Sequence, residues 1–171
     1  RDRCWNIDAS RNRQFFDRNL SQASAFGRKL SRTASALGMS YLRFGGTGND
    51  YLTYEGFGNT TCKEQTETTE CLNRTWYTNL LDFTENSKAK MIFGLSMNTK
   101  LDLETSPDFP YPWDPSNARE ILQWTIDQGR DHLIAGLELG NEQNKRYDAK
   151  KTAVDFEILH NMTLELWPDD K

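Results

Sequence analysis

Four short apolar segments alternate with four segments of helical periodicity, and this alternation constrains the fold more than any other feature of the chain. The apolar segments read CWNID at 4–8, MSYLRFGG at 39–46, KMIFGLSM at 90–97 and HLIAGLELG at 132–140. Helical periodicity covers 22–37, 74–89, a segment from 117 to 129, and a last segment with Val154, Ile158 and Met162 spaced by fours. Repeated strand–helix units predict parallel strands joined by right-handed crossovers.

Local signals predict where some of these elements begin and end. Gly38 and Gly129 follow the first and third helical segments and are expected to stop them. Asn117 and Glu120 have the spacing of a capping box, which predicts a helix start at that point. The polar stretch between the second strand and Asn73 is expected to be a long loop.

Two α/β architectures fit this order of elements. One is a complete small doubly wound sheet, and the other is the first half of an eight-stranded barrel, which needs about 250 residues. The final stretch TLELWPDDK, at 163–171, has the pattern of a further strand beginning. We therefore favour the N-terminal half of a (β/α)8 TIM barrel, truncated after about the fourth βα unit, with 1–171 forming one partial domain.

Both architectures place ligands at the carboxyl ends of the strands. The four predicted strand ends are polar: Asp8 and Ser10, then 45–50, then Ser96 and Asn98, and finally 138–144. Glu142, within the stretch LELGNEQN, therefore lies at the edge where chemistry is expected.

Charge and hydropathy exclude some classes of function. The chain of 171 residues has a net charge of −4, which gives no reason to expect a nucleic-acid partner. It contains no run of eighteen apolar residues, so membrane attachment would have to come from regions outside this sequence. The chain opens RDRCWNID, without an initiator methionine or a signal peptide, which is expected of a processed chain or an excerpt.

Cysteines and glycosylation sequons suggest the compartment. Cys62 and Cys71 lie nine positions apart in a polar stretch and are spaced to close a disulfide loop, while Cys4 is left over. Sequons for N-glycosylation occur at Asn19, Asn59, Asn73 and Asn161. Two of them flank the cysteine pair, which favours an extracellular or lysosomal destination over a reducing cytosol.

Several segments together resemble the heparanase-like glycoside hydrolases, family 79 of a large clan of retaining glycosidases. LELGNEQN resembles the family's acid/base motif, and YLRFGGTGNDYL resembles its second-strand motif. NIDAS, MIFGLSMN and WDPSNAREILQW are similar to its first strand, its third strand and the helix before the acid/base strand. These segments occur in the family's order and span nearly the whole chain.

The resemblance implies roles for residues of the fourth strand end. It implies that Glu142 is the general acid/base, which protonates the glycosidic oxygen and later activates water. Asn141 would bind the sugar 2-hydroxyl, and Glu138 would support the site without acting as nucleophile. The local sequence alone also allows Glu142 to begin a solvated loop that leads to Lys145, Arg146 and Lys150.

The other strand ends receive roles in the same way. Asp8 matches a family aspartate that contacts substrate or shapes the subsite, and Thr47 matches a substrate-contacting threonine. Arg43 lies where the clan often has an arginine that supports the nucleophile. Without the resemblance, Asp8 reads equally well as a turn residue and Arg43 as a strand-end cap. Gln143 replaces a usual proline, which loosens the backbone at Glu142. Ser96 replaces a usual asparagine and receives no binding role.

No other chemistry is expected of these residues. His132 and His160 are not at metal-ligand spacing and are expected to be structural, so neither a metal nor a cofactor is predicted. The glycine-rich stretch FGGTGND fits neither phosphate-binding pattern. Phe109, Tyr111 and Trp113 are expected to pack their loop onto the barrel, although aromatic rings also stack on sugars.

The resemblance thus implies a fragment of a retaining β-glucuronidase-type hydrolase that acts on glucuronide-bearing or glycosaminoglycan-like polysaccharides. The nucleophile, near the seventh strand in this family, would come from the C-terminal remainder of the barrel, so the fragment alone is expected to be inactive. The alternative is a non-catalytic homologue that binds a carbohydrate or a protein.

Overall fold

A four-stranded parallel sheet forms the centre of the computed structural model, which describes residues 3–8, 20–62, 70–97, 111–142 and 148–168. Its strands are β1 (Cys4–Ile7), β2 (Tyr41–Phe44), β5 (Lys90–Leu95) and β6 (Ile134–Leu139), in the order β1-β2-β5-β6. Ile7 pairs with Phe44, Phe44 with Phe93, and Leu95 with Leu139. All four carboxyl ends therefore lie along one edge of the sheet.

Four helices connect or follow these strands: α1 (Ala25–Ala36), α2 (Arg74–Asn86), α3 (Ser116–Asp127) and α4 (Ala149–Leu166). Side-chain oxygens cap three of them, because the first backbone N–H groups of a helix lack partners. Ser24 accepts from the N–H of Gly27, Asn73 from that of Trp76, and Asp148 from that of Lys151. Helices α1 and α3 end before Gly38 and Gly129, as predicted.

Aromatic side chains fill the space between the sheet and the helices. The rings of Phe44 and Phe93 stack at 5.7 Å between centroids, and Tyr77 of α2 approaches Phe93 at 5.5 Å. Burial raises the pKa of both Tyr54 and Tyr77 well above the ordinary value, so both hydroxyls stay neutral. The Tyr54 hydroxyl accepts a hydrogen bond from the N–H of Ser96, and Tyr77 shares one with Thr125.

The region predicted as a loop before Asn73 contains two short strands, so that prediction was wrong. Strands β3 (Leu52–Glu55) and β4 (Glu70–Asn73) pair in parallel and form a separate two-stranded sheet. Leu52 and Tyr54 alternate with less buried neighbours, a pattern too short to distinguish from a loop by composition. The Cys62–Cys71 disulfide, present as expected, joins the segment after β3 to β4.

The capping box predicted at Asn117 and Glu120 was also wrong. Helix α3 begins one residue earlier, at Ser116, and Asp114 accepts from the N–H of Ser116. The Asn117 side chain instead accepts from the N–H of Tyr54 and donates to the C=O of Tyr54. It thus serves β3 as a neighbouring strand would, which explains an amide at this buried position.

The fifth strand expected from 163 onward is not present in the described residues. Residues 163–166 form the last turn of α4, whose buried positions include Leu159, Met162 and Leu166. The helix continues through 163–166 because these three residues, at helical spacing, contact the core. The structure therefore shows a mixed α/β domain with a parallel sheet.

Among the described residues, the side of β6 that faces α4 is only partly covered. An open groove of about 660 Å³ lies between β6 and α4, and among its lining residues are Ile134, Leu137, Phe156 and Trp167. Among the described helices, none has the length and apolar character needed to cross a membrane.

Candidate functional site

The chain makes two left-handed turns directly after β6. Gly140 has φ +71° and Glu142 has φ +52°, and Asn141 lies between them. A left-handed conformation is routine for glycine but costs a residue with a side chain about 1–3 kcal/mol. Neighbouring groups must therefore hold Glu142 in place.

Asn141 is fixed by three side chains from β2 and the turn that follows it. Its N–H donates to Asp50 Oδ1 at 2.9 Å. Its Oδ1 accepts from Arg43 Nη2 at 3.2 Å, and its Nδ2 donates to Thr47 Oγ1 at 3.3 Å. Backbone and side chain are thus oriented together.

Arg43 connects three strands at this edge. Its Nε donates to Glu138 Oε2 on β6 at 2.7 Å, and its Nη1 donates to Asn6 Oδ1 on β1 at 2.8 Å. The ion pair with Glu138 is partly buried. The guanidinium fork suits such a role because its donors point in fixed directions.

Asp8 lies against the backbone of the turn after β2. A Cβ placed on Gly46 would come within 2.5 Å of Asp8 Oδ2, and Gly46 has φ +128°. Only glycine permits this conformation together with this contact. Asp8 is half-buried, and its position against Gly46 places its carboxylate at the same edge as Arg43 and Thr47.

Two residues that the sequence reasoning did not single out anchor this turn. Asn49 and Asp50 are buried in a 3₁₀ helix at 47–51. The Asn49 amide donates to the C=O of Phe44 at 3.3 Å and to that of Gly94 at 3.0 Å, which joins the ends of β2 and β5. The only available signal was their position, since 45–50 is a predicted polar strand end.

Ser96 and Trp113 complete the wall beside the turn. Ser96 Oγ donates to the C=O of Asp50 at 3.2 Å, and Trp113 Nε1 donates to the C=O of Ser96 at 3.0 Å. Trp113 is buried, which agrees with a loop packed onto the domain, whereas Tyr111 is exposed and lies against Lys151 Nζ. Phe109 is outside the described residues.

The structure thus places Asp8, Arg43, Thr47, Glu138 and Asn141 at one edge of the sheet. Glu142 follows them and is exposed, and its carboxylate makes no hydrogen bond or ion pair within the described part of the chain. An exposed carboxylate on a fixed backbone can exchange a proton with a bound molecule. Ser10, Asn98 and 143–147 lie outside the described residues.

The remaining predicted residues lie away from this edge. Asn59, Asn73 and Asn161 are exposed, and Asn19 is outside the described residues. The leftover Cys4 is a free, exposed thiol. His132 Nδ1 lies 2.9 Å from the C=O of Gly129, and His132 and His160 both border the groove beside β6.

One described cluster has the spacing of metal ligands without the chemistry. Glu55, Cys62 and Cys71 place a carboxylate oxygen and two sulfurs within 4.8 Å of one another. The two sulfurs are bonded to each other, so they are not thiolate ligands. Glu55 instead accepts from the N–H of Cys62 at 3.0 Å and positions the disulfide segment.

The sequence matches a described protein family. Residues 18–171 match the family described as glycosyl hydrolase family 79, N-terminal domain. A search of curated proteins finds no match to this chain.

Proposed function

The chain belongs to glycosyl hydrolase family 79, and from this premise we propose that it carries the acid/base half of a retaining glycosidase site. Glu142 is the acid/base, and Asn141 binds the sugar 2-hydroxyl. The supporting observation is the fixed pair itself. Asn141 is held at three atoms, and Glu142 follows it in a left-handed conformation at the carboxyl edge of a parallel sheet.

The chemistry proceeds in two steps. Glu142 first donates its proton to the glycosidic oxygen while a second carboxylate attacks the anomeric carbon, which gives a glycosyl-enzyme intermediate. Glu142, now ionised, then takes a proton from water, and the water releases the sugar. The Asn141 amide donates to the 2-hydroxyl, a contact that strengthens in the transition state.

The second carboxylate is proposed to come from outside these 171 residues. Retaining enzymes hold the two carboxyl groups about 5–5.5 Å apart. At this edge, Glu138 is engaged by Arg43 and Asp50 by the N–H of Asn141, so both have supporting roles. The four parallel strands then represent the first half of a (β/α)8 barrel, whose remainder supplies the nucleophile.

The proposed substrate is a β-glucuronide within a polysaccharide, in a heparanase-like manner. The first turn of α4, which follows the site along the chain, carries Lys150 and Lys151, and both are exposed. Cations there suit the carboxylate of a uronic acid. The disulfide and the exposed sequons at Asn59, Asn73 and Asn161 support an extracellular or lysosomal location.

The test uses the full-length protein and two β-glucuronides. One carries a dinitrophenolate leaving group, which departs without a proton, and the other carries an alkyl leaving group, which needs one. Glu142→Gln should lower turnover of the alkyl substrate by about 100-fold or more, because general acid catalysis contributes this much. Cleavage of the dinitrophenyl bond should fall far less, and binding should persist.

Glu157→Gln provides the matched control, since it makes the same change at an exposed position of α4. It should leave both rates unchanged. Equal losses of kcat/KM on the two substrates in Glu142→Gln would contradict the acid/base role. Binding of the polysaccharide without any turnover by the unmodified protein would favour a non-catalytic carbohydrate-binding homologue.

A further inference from the structure

Asp50 makes a contact that no catalytic role so far explains. It is 1% exposed, yet it is a carboxylate. Its Oδ1 accepts from the N–H of Asn141, which lies 91 positions further along the chain. A buried carboxylate is costly unless hydrogen bonds compensate it, so this position demands a reason.

We propose that Asp50 is a positioning residue that aims Glu142 by holding the backbone between Gly140 and Glu142. This inference rests on the acid/base role proposed for Glu142. The N–H that Asp50 accepts belongs to the peptide joining Gly140 to Asn141, and Glu142 is the next residue. The bond therefore fixes the chain just where it adopts the left-handed conformation at Glu142.

The contacts of Arg43 and Thr47 with Asn141 cannot replace this one. Arg43 and Thr47 bind only its side chain, which can rotate relative to the backbone. The N–H of Gly140 reaches the C=O of Leu95 only at 3.5 Å, a weak contact. Asp50 thus anchors the backbone between the end of β6 and Glu142 more firmly than the Leu95 contact does.

Asp50 is itself held rigidly. It lies in the 3₁₀ helix at 47–51, and its own C=O accepts from Ser96 Oγ at the end of β5. The neighbouring Asn49 joins β2 to β5. The position of Asp50 is therefore set by two central strands of the sheet. Its hydrogen bond to the N–H of Asn141 in turn fixes the backbone that leads to Glu142.

The test compares the alkyl and dinitrophenyl β-glucuronides in the full-length protein. Asp50→Ala should lower kcat/KM for the alkyl substrate by about 100-fold, since misplacement of a catalytic group by about 1 Å has this effect. It should lower kcat/KM for the dinitrophenyl substrate far less, because kcat/KM reports the first step, in which this leaving group departs without a proton. Asp50→Asn keeps an oxygen acceptor of the same shape and should retain most of the activity.

Asp155→Ala is the control for loss of a buried carboxylate. Asp155 is also 1% exposed and accepts a backbone hydrogen bond, from the N–H of Trp113 at 2.8 Å. Asp155→Ala should lower the melting temperature, as Asp50→Ala should, but leave the ratio of the alkyl rate to the dinitrophenyl rate unchanged. If Asp50→Ala does not fold, Asp50→Asn replaces it in the test. Its ratio of the alkyl rate to the dinitrophenyl rate should then fall below that of the unmodified protein, by less than about 100-fold.

A double variant separates the possible failures. In a Glu142→Gln background, Asp50→Ala should have almost no further effect on the alkyl substrate, because the group that it aims is gone. Independent effects of the two changes, or an unchanged ratio in both Asp50 variants, would overturn the positioning role. If Glu142→Gln itself leaves the ratio unchanged, the proposed acid/base function fails as well.

Discussion

Arg43 illustrates how much a single side chain contributes at the candidate site. Its pair with Glu138 leaves the side chains 27% and 37% exposed, whereas the pair between Arg119 and Glu165 leaves them 39% and 63% exposed. Both pairs are 2.7 Å long. Burial and the additional bonds to Asn6 and Asn141, rather than distance, should therefore distinguish them.

We predict that Arg43→Met lowers the free energy of unfolding by about 1–3 kcal/mol, because partly buried acceptors lose a charged donor. Arg119→Met should lower it by no more than about 1 kcal/mol, as is typical of exposed pairs. Urea denaturation of the full-length variants measures both. Equal losses would show that the additional contacts of Arg43 add nothing beyond the contribution of an exposed ion pair.

At the residue scale, sequence predicts a site residue when a motif points to it. The order of motifs singled out Arg43, Thr47, Asn141 and Glu142, and the structure places these residues at one edge of the sheet. Asp50 escaped notice because its importance lies in a hydrogen bond to a residue 91 positions away. A local pattern carries no record of such a partner.

At the scale of single elements, the Cys62–Cys71 disulfide stabilises the connection between β3 and β4. It closes a short loop between β3 and β4, which should stabilise the fold by about 2–3 kcal/mol, chiefly through the unfolded chain. We predict that replacing both cysteines with serine causes this loss. Urea denaturation under oxidising conditions measures it.

Cys4→Ser is the control, because Cys4 is exposed and free. It should leave stability within about 0.5 kcal/mol of the unmodified protein. Alkylation without reduction should label Cys4 but neither of the other two. Labelling of Cys62 in the native protein would contradict the assigned pairing.

Glu120 links α3 to the turn after β3 and gives a pH dependence. Burial raises its pKa, but hydrogen bonds from the Thr60 side chain, the N–H of Asn59 and the Asn117 side chain lower it more, for a net decrease from 4.5. A lowered folded pKa stabilises the protein above the unfolded value. This contribution is lost as the pH falls through the folded pKa, below 4.5.

We therefore predict that Glu120→Gln lowers the melting temperature slightly at pH 7, and that the difference from the unmodified protein shrinks between pH 4.5 and 3. The effect is small because Glu120 is largely solvated. Glu157→Gln, at an exposed position of α4, should show no such trend. A difference that grows on acidification would contradict the assigned direction.

Elements were predictable where their apolar pattern was long enough. Helices α2 and α3 were found because buried residues recur at helical spacing, such as Ala118, Ile121 and Thr125 in α3. Strands β3 and β4 were missed because each has only four residues within a polar segment. The end of α4 was mistaken for a strand because TLEL alternates, and contacts of Leu166 with the core decide the outcome.

At the scale of the whole molecule, the described residues leave an apolar face beside β6 only partly covered. Phe156 of α4 is 49% exposed and borders the groove beside β6. The parallel order of four strands could be predicted from the alternation of elements, since each crossover is a local unit. What covers the last strand depends on distant chain, and no local pattern encodes it. If the barrel proposal is correct, a further βα unit covers this face.

We predict that residues 1–171 expressed alone self-associate at micromolar concentration and bind a hydrophobic dye, whereas the full-length protein does neither. Exposed apolar surface drives both effects. Phe156→Lys should reduce them in the isolated chain. Phe26→Lys is the matched control, because Phe26 is 52% exposed on α1 and does not border the groove. Sedimentation and dye fluorescence provide the measurements.

The same preparation tests the missing carboxylate. On the proposal that Glu142 is the acid/base and that the nucleophile lies outside residues 1–171, the isolated chain should hydrolyse neither the alkyl nor the dinitrophenyl β-glucuronide above the rate in buffer, because no glycosyl-enzyme intermediate would form. Turnover of either substrate by the isolated chain, abolished by Glu142→Gln, would place both catalytic groups within these 171 residues. If the isolated chain sediments as a monomer and does not bind the dye, the groove between α4 and β6 needs no further covering element.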